Sequence, residues 1–368
     1  MKLEIDKRDL LSLIGKTQNI VEKRNTMPIL INVLLEADQN TLKVFATDLE
    51  VSLTDQIKVQ VHQAGKVAVS AKSLFDIAKE LSEGPITLIK KENNWLEIKQ
   101  GKYTSKIVGI SAEEYPIFPT YNSQAFIKIH AQVLKEMIDK TIYSVSTDET
   151  RYHLNGVFFE LNPQTGFKMV ATDGHRMSLV NKPSEDIKVN ATQGVIIPRK
   201  GLHEIKKILE SIDGTVEIAV EGSQFVLKHS STILMIRLIE GKYPNYQQFI
   251  PQKLPQKVMI SRDAFLTSLK RVSLLANQKS KAVLLNLSNG RMEISSNNPE
   301  LGDAKEEIEV DYMGGEIKIG FNAKYITDIL TSMNQDKIDF ELNDHLSPGL
   351  MRPHNDQTYT CVVMPMRI

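Results

Sequence analysis

The sequence predicts an α+β fold made of three tandem copies of one unit, each with two helices packed on antiparallel strands. Two strand-to-helix junctions recur three times along the 368 residues, and a short polar signature recurs at equal spacing. Self-similarity at a fixed period marks tandem structural units and decides the architecture before any single motif does. At roughly 150 residues per domain the length allows two or three domains, and the repeats indicate three.

The first junction is a strand end followed at once by an amphipathic helix. Its copies are residues 5–10, 129–134 and 260–265. Apolar residues continue at helical spacing after each copy, which predicts that one face of each helix is buried. These residues are Leu10, Leu11, Ile14 and Val21; Leu134, Met137, Ile138 and Ile142; and Phe265, Leu269 and Val272.

The second junction recurs as residues 69–74, 197–202 and 321–326. Ser70 and Asn322 are residue types that cap helix N-termini, and the first helical turn tolerates the missing N–H of Pro198. All three copies therefore predict helix starts.

The polar signature lies between the two helices of each copy. It reads Ala46-Thr47-Asp48, then Ala171-Thr172-Asp173, then the more degenerate Ser296-Asn297-Asn298. Asp173-Gly174 is a hairpin turn signal between two predicted strands, 167–171 and 177–180. Other segments, such as 41–45 and 215–220, also alternate apolar and polar residues with the strand period.

Turn residues cluster at 119–123 and 251–255, so the predicted units are 1–123, 124–252 and 253–368. Both junctions are too short for a flexible linker, which favours rigid docking of neighbouring units. Repetition alone leaves a passive structural scaffold open as the less favoured alternative.

Composition restricts the class of protein. The chain is 41% hydrophobic and 24% charged, which is typical of a globular protein. Its single cysteine, Cys361, excludes an intrachain disulfide and a multi-cysteine zinc site, and it fits a reducing cytoplasm. The first nine residues mix acids and bases, unlike a signal peptide, and no apolar run approaches the ~20 residues that span a bilayer. We therefore expect a cytoplasmic protein without a membrane segment.

The 45 basic residues are balanced by 45 acidic residues, so the whole-chain charge does not indicate a nucleic-acid partner. A basic surface therefore requires that basic residues cluster on one side of the protein. Many bases lie opposite the apolar stripes of the predicted helices. If the helices of all three units share one side, these bases form a DNA-facing surface; the alternative is an ordinary solvated helix face. Interspersed acids, such as Asp76 and Glu204, favour weak, mobile phosphate contact. The bases are Lys16, Lys72, Lys79, Lys135, Lys140, Arg199, Lys200, Lys206, Lys207, Lys270, Arg271 and Lys324.

Catalytic and metal-binding motifs are missing from the sequence. The eight histidines form no metal-binding pattern, and no Walker A or G-x-G-x-x-G loop is present. His175, within 172–176, is the most enzyme-like residue, but its spacing matches no nucleophile motif. A structural turn or the wall of a binding pocket explains it better than catalysis, and Cys361 fits a buried strand. We predict no catalytic residue, no metal and no cofactor.

Several segments together resemble the beta sliding clamp of bacterial DNA polymerase III. They are 27–30, 46–50, 150–156, 171–176, 197–201 and 362–368, so the resemblance runs from end to end. It implies three clamp domains per chain and a head-to-tail homodimeric ring whose hole is lined by helices. It also implies a non-catalytic processivity factor that encircles double-stranded DNA without sequence specificity. The implied partners are the polymerase III alpha subunit, the clamp-loader complex and other proteins with a clamp-binding motif.

The resemblance also implies site residues. DNA-contacting positions fall on Arg24, Lys72, Tyr152, His153, Arg199 and Lys200. A pocket for partner peptides falls on Arg151, Leu154, Thr172, Gly174, His175, Arg176, Met177, Pro244, Phe249, Pro348, Val362, Met364, Pro365 and Met366. The dimer interface falls on Ile107, Leu274 and Leu275, although Ile107 is equally compatible with core packing. Met177, Phe249 and Pro348 depart from the usual family pattern, which leaves the peptide preference open.

Overall fold

The computed structural model describes residues 1–21, 27–121, 126–184 and 192–367. Six α-helices lie in these residues, and all begin at the predicted junctions, which confirms both repeats. They are α1 (Lys7–Gly15), α2 (Ala71–Glu80), α3 (Ala131–Asp139), α4 (Arg199–Leu209), α5 (Arg262–Val272) and α6 (Ala323–Thr331).

Most of the remaining described chain is strand, as the alternating segments predicted. The strands are β1 (Lys2–Asp6), β2 (Asn32–Asp38), β3 (Thr41–Thr47), β4 (Val51–Lys58), β5 (Gln60–Gln63), β6 (Gly65–Ser70), β7 (Pro85–Lys90), β8 (Leu96–Gln100), β9 (Tyr103–Ile107), β10 (Gly109–Ile110), β11 (Ile127–His130), β12 (Gly156–Asn162), β13 (Gly166–Thr172), β14 (Arg176–Lys182), β15 (Gln193–Pro198), β16 (Thr215–Glu221), β17 (Gln224–His229), β18 (Thr232–Arg237), β19 (Gln256–Ser261), β20 (Ala282–Ser288), β21 (Arg291–Asn298), β22 (Gly302–Glu309), β23 (Ile317–Asn322), β24 (Lys337–Leu342), β25 (Gly349–Pro353) and β26 (Tyr359–Val363).

The chain divides into two compact units, which we describe separately. Unit 1 contains 1–135 and 200–238, and unit 2 contains 136–199 and 239–368. The sheets of unit 1 have the strand orders β5-β1-β7-β8-β9 and β10-β6-β2-β3-β4-β18-β17-β16-β11. Those of unit 2 have the orders β15-β12-β13-β14-β26-β25-β24-β19 and β22-β21-β20-β23. The described strand pairs are antiparallel, and the larger sheet of each unit crosses a predicted copy boundary, at β4–β18 and at β14–β26.

Local chemistry explains where the helices begin. Ser70 Oγ accepts the N–H of Ser73 at 3.2 Å, and Asn322 Oδ1 accepts that of Lys324 at 2.9 Å, so both act as the predicted N-caps. Pro198 was expected inside the first turn of α4, but it is the last residue of β15. Its fixed φ suits the strand end equally well, and the helix starts one residue later.

Two helices end earlier than the apolar spacing predicted. α1 stops at Gly15, so Val21 lies beyond it. The Thr17 hydroxyl donates to the Ile14 carbonyl at 2.7 Å, which satisfies a group at the helix end and favours termination. Ile142 likewise belongs to a short 3₁₀ turn, Ile142–Ser144, after α3.

The polar signature is a hairpin turn that recurs in every copy. Asp48 Oδ1 accepts the N–H groups of Glu50 at 2.9 Å and Val51 at 2.7 Å. Asp173 Oδ1 accepts those of His175 at 2.9 Å and Arg176 at 3.0 Å.

In the third copy Asn298 Oδ1 accepts the N–H of Glu300 at 3.0 Å. A short side-chain acceptor that mimics a backbone turn explains why Asp or Asn occupies this position. The predicted hairpin at Asp173-Gly174 is confirmed, because Thr172 pairs with Met177 across β13 and β14.

Candidate peptide groove and nucleic-acid-facing residues

A groove of about 500 Å³ lies in unit 2, beside the pairing of β14 with β26. All but three of the predicted pocket residues line it; Arg151, Pro365 and Met366 do not. The lining residues are Leu154, Thr172, Gly174, His175, Arg176, Met177, Pro244, Gln248, Phe249, Pro251, Lys253, Leu254, Ser347, Pro348, Val362 and Met364. The structure therefore brings together residues from the hairpin, the segment after β18 and the chain end.

The floor of the groove belongs to a buried apolar cluster. Met177 and Val362 are both 3% exposed and pair directly across β14 and β26. Tyr243 belongs to the same cluster, and its ring stacks on Phe158 at 5.2 Å. An apolar floor of this kind suits one or two hydrophobic anchors of a short peptide.

The mouth of the groove is formed by exposed, adaptable side chains. Phe249 is 52% exposed and Met364 is 42% exposed. The N–H of Met364 donates to the His175 carbonyl at 2.9 Å, which holds the end of the chain against the hairpin turn. The N–H of Met366 instead donates to Gly320 at 2.8 Å, toward β23, so the residues after Met364 leave the groove.

Arg176 forms one wall, and its guanidinium is buried and bound by three partners. It pairs with Asp173 at 3.1 Å and with Asp328 of α6 at 2.6 Å, and it donates to the Tyr143 carbonyl at 2.5 Å. The Tyr325 ring covers it at 4.6 Å and stacks in turn with His175. Arg176 is therefore held in place by three partners and positions the wall.

The enzyme-like fragment does not assemble a catalytic group. Asp173 accepts the backbone N–H groups of His175 and Arg176 and pairs with the Arg176 guanidinium, so its contact with His175 is to the backbone and not to the imidazole. Burial raises the pKa of the Cys361 thiol, which keeps it protonated beside Tyr143 and Ser178.

Within the described residues, no set of three or more His, Cys, Asp or Glu side chains is placed to hold a metal ion. None of the helices in this part of the chain has the length and apolar character that a bilayer crossing requires.

The residues predicted to contact DNA have different environments. Lys72 and Arg199 are exposed, and Tyr152 is 57% exposed with His153 packed edge-on at 5.7 Å. Lys200 pairs with the buried Asp48 at 2.5 Å. Arg24 lies outside the described residues.

The wider basic face is more neutralised than the helical pattern predicted. Lys140 is only 4% exposed and pairs with Glu136 at 2.6 Å, so its assignment to an open basic face was wrong. The physical reason is that α3 ends at Asp139, which turns Lys140 inward onto the Tyr359 ring. Lys16 and Lys324 are exposed but pair with Asp55 and Asp328.

The predicted interface residues lie near two sheet edges. Ile107 is half-buried at the end of β9, the last strand of its sheet in unit 1. Leu274 is 73% exposed in a 3₁₀ turn after α5, and β22 is the edge strand of its sheet in unit 2.

Sequence reasoning missed part of the groove lining: Gln248, Pro251, Lys253, Leu254 and Ser347. Pro251 and Leu254 belong to the turn cluster 251–255, which marked the predicted boundary between copies 2 and 3. This cluster was the available signal. A boundary segment that crosses the end of a sheet is well placed to line a pocket.

Comparisons with known proteins give matches along the whole length of the chain. Residues 1–119, 128–245 and 247–367 match the N-terminal, central and C-terminal domains of the DNA polymerase III beta subunit. The chain is 32% identical to the beta sliding clamp of Caulobacter vibrioides over the full length of both. The crystal structure of DNA polymerase III subunit beta from Pseudomonas aeruginosa is 31% identical and superposes with a TM-score of 0.96 over all of both chains. A sliding clamp structure from Bacillus subtilis is 30% identical with a TM-score of 0.96, over 100% of this chain and 99% of that one.

Three like domains with a peptide-sized groove define a non-catalytic binding protein. The chain belongs to the DNA polymerase III beta subunit family, the beta sliding clamps, which are processivity factors of DNA replication.

Proposed function

We propose that two copies of this chain form a closed ring around double-stranded DNA and tether the polymerase III alpha subunit through the groove. The groove beside β14 and β26 is the observation that carries the tethering role. The three domains are proposed to be 1–123, 124–252 and 253–368. As a replication protein, the ring would act in the cytoplasm, with the clamp-loader complex and other clamp-binding-motif proteins as further partners.

The way the copies join within the chain supports ring closure. In unit 1 the strand after the first signature turn, β4, pairs with β18. In unit 2 the strand after the second signature turn, β14, pairs with β26. The third equivalent pair is β22 with β9, and both are sheet edges in their own units. We therefore pair β22 of one copy with β9 of a second copy, head to tail, which leaves neither edge open.

Equivalent positions also specify the register of this joint. Leu53 pairs with Leu234, and Ser178 pairs with Cys361. Ala304 is the third equivalent of Leu53 and Ser178, because their partners Ala46, Ala171 and Ser296 hold the same signature position. On the other strand, pairing outward from Leu3, Ile127 and Val258 leads to Ser105, Leu234 and Cys361. The third equivalent pair is therefore Ala304 with Ser105 of the second copy. One step along the strands places Asp303 opposite Lys106 of the second copy. Opposite charges facing each other across strands stabilise such a pairing.

Retention on DNA would come from closure and not from tight contacts. Exposed Lys72, Arg199 and Tyr152 offer phosphate and sugar contacts without reading bases. Many bases of the wider face, such as Lys16 and Lys324, are partly neutralised by acids, so contacts stay weak and the ring slides. A polymerase held in the groove rebinds its primer at high effective concentration after each dissociation.

The test is retention on nicked circular DNA after loading by a clamp loader, compared with the same DNA linearised. We expect the protein to stay on the circle through a high-salt wash and to leave the linear DNA from its ends. Equal retention on both would contradict a topological link and indicate ordinary binding.

A further inference from the structure

We call the strand pairs that connect one copy to the next, β4–β18 and β14–β26, the joints within the chain. Each joint contains an ion pair, largely shielded from solvent, between a signature turn and a helix of the next copy. In unit 1, Asp48 of the β3–β4 turn is 1% exposed at its side chain and pairs with Lys200 of α4 at 2.5 Å. In unit 2, Arg176 follows the β13–β14 turn and pairs with Asp328 of α6 at 2.6 Å. Asp328 also binds Lys324 at 3.0 Å.

The same helix positions recur on α2 of the first copy. The second junction aligns Ser70 with Pro198 and Asn322, so Lys72 corresponds to Lys200 and to Lys324. By the same alignment Asp76 corresponds to Asp328. Lys72 and Asp76 are both exposed, and the described part of the chain provides no ion-pair partner for either. α2 belongs to the copy whose edge strand is β9, so it faces the third signature turn of a second copy in the proposed ring.

That third turn carries no charge at either matching position. Asn298 replaces Asp48 and Asp173, and its carboxamide oxygen accepts the same kind of turn hydrogen bond, from Glu300 at 3.0 Å. Leu301, which is 54% exposed, precedes β22 where Arg176 begins β14. Lys72 therefore meets an amide, and Asp76 meets an apolar side chain.

We infer that Asn298 sets the strength of the joint between two copies. This inference rests on the proposed ring and adds to it a residue that controls its opening. Asn298 preserves the hairpin but lacks the carboxylate that pairs with a helix lysine at the first joint. Leu301 lacks the charge that pairs with Asp328 at the second joint. The joint between copies is therefore the weakest of the three, and Lys72 stays available for phosphate contact.

The inference is tested by Asn298→Asp, which restores the carboxylate that the other two turns already use, so the hairpin keeps its hydrogen bond. Heavy-isotope-labelled and unlabelled protein are mixed, and subunit exchange is followed by native mass spectrometry. We expect exchange about tenfold slower than in the unsubstituted protein, the effect of one well-placed ion pair. In a Lys72→Ala background the same substitution should produce no slowing.

The matched control is Asn162→Asp, which adds the same charge to a turn where Asn162 Oδ1 accepts the N–H of Gln164 at 2.8 Å. It should leave the exchange rate unchanged. Unchanged exchange for Asn298→Asp, or equal slowing with and without Lys72, overturns the inference while the ring stands. A protein that is monomeric in every spectrum overturns both the ring and the inference.

Discussion

Met177 and Val362 face each other across β14 and β26, and together they form the floor of the groove. They come from predicted copies 2 and 3, so the groove exists only where these two copies share a sheet. The corresponding pair at the first joint is Ser52 with Met235. There Met235 is buried in a cluster covered by Phe118, Tyr121 and Phe126. Aromatic residues on both sides of the predicted boundary between copies 1 and 2 thus occupy the space that the groove leaves open.

The mouth residue Met364 should contribute to peptide affinity. It lines the groove and is 42% exposed, so Met364→Ala removes a contact at small cost to the fold. We expect a polymerase peptide carrying the clamp-binding motif to bind about tenfold more weakly, as measured by fluorescence polarisation. The control is Met313→Ala, a 90% exposed methionine outside the groove lining, which should bind as before. Equal affinities for all three proteins would remove Met364 from the site.

Arg176 should matter for the fold more than for ligand contact. Arg176→Ala leaves Asp328 and Asp173 without their buried partner. Breaking a buried ion pair of this kind costs about 3–5 kcal/mol in the free energy of unfolding, measured by urea denaturation. Arg151→Ala, which removes the exposed pair with Asp148, should change stability far less. A small loss for Arg176→Ala would mean that its ion pairs are not shielded.

Leu49 holds a conformation that its side chain disfavours. Its φ is +75°, whereas the matching position of the second copy is Gly174 with a φ of +89°. Leu49 is 50% exposed, so Leu49→Gly removes little buried apolar surface. It also relieves the strain of the left-handed backbone, about 1 kcal/mol. We expect a higher melting temperature by calorimetry.

Gly174→Ala supplies the opposite control to Leu49→Gly. A Cβ there would lie 2.9 Å from Arg151 Nη1 in a left-handed backbone, so the melting temperature should fall. A destabilised Leu49→Gly variant would show that the Leu49 side chain has a stabilising contact.

High pH should destabilise the protein through a buried hydroxyl and thiol cluster. Burial raises the pKa values of Cys361, Tyr143 and Tyr359 above their ordinary values. The folded state therefore retains protons that the unfolded chain releases near pH ~8.5 for cysteine and ~10 for tyrosine. This contribution to stability is complete below those values and is lost as the pH rises above them.

The measurement for this pH dependence is urea denaturation between pH 7 and pH 11. Cys361→Ala should delay the start of the decline to the tyrosine range, near pH ~10. Identical pH profiles for the two proteins would show that the Cys361 thiol does not contribute.

Helix starts, the hairpin at Asp173 and the three-copy architecture were predictable because their causes are local. Caps such as Ser70 and turn acceptors such as Asp173 act on groups two or three residues away. Most of the groove was predictable only through the family resemblance, since no periodicity connects Pro244 with Val362.

What the sequence could not indicate depends on distant contacts. Arg176 and Asp328 are 152 residues apart, and only the folded sheet brings them within 2.6 Å. Lys140 followed the helical pattern of a basic face, yet the end of α3 and the Tyr359 ring decide its burial. Charge on a predicted helix therefore indicates a surface only when the helix bounds are known.

The proposed register between copies predicts a specific charge exchange. If Asp303 faces Lys106 of the second copy, Lys106→Glu places two acids opposite each other at both joints of the ring, and like charges opposed across strands are destabilising. We expect a weaker dimer, with a higher dissociation constant measured by analytical ultracentrifugation. Asp303→Lys added to Lys106→Glu should restore much of the affinity, because the pair is reversed and not removed. Asp311→Lys, on a residue outside β22, is the control and should fail to rescue. Equal rescue by both would indicate a net-charge effect and would contradict the pairing of Ala304 with Ser105 that sets the register.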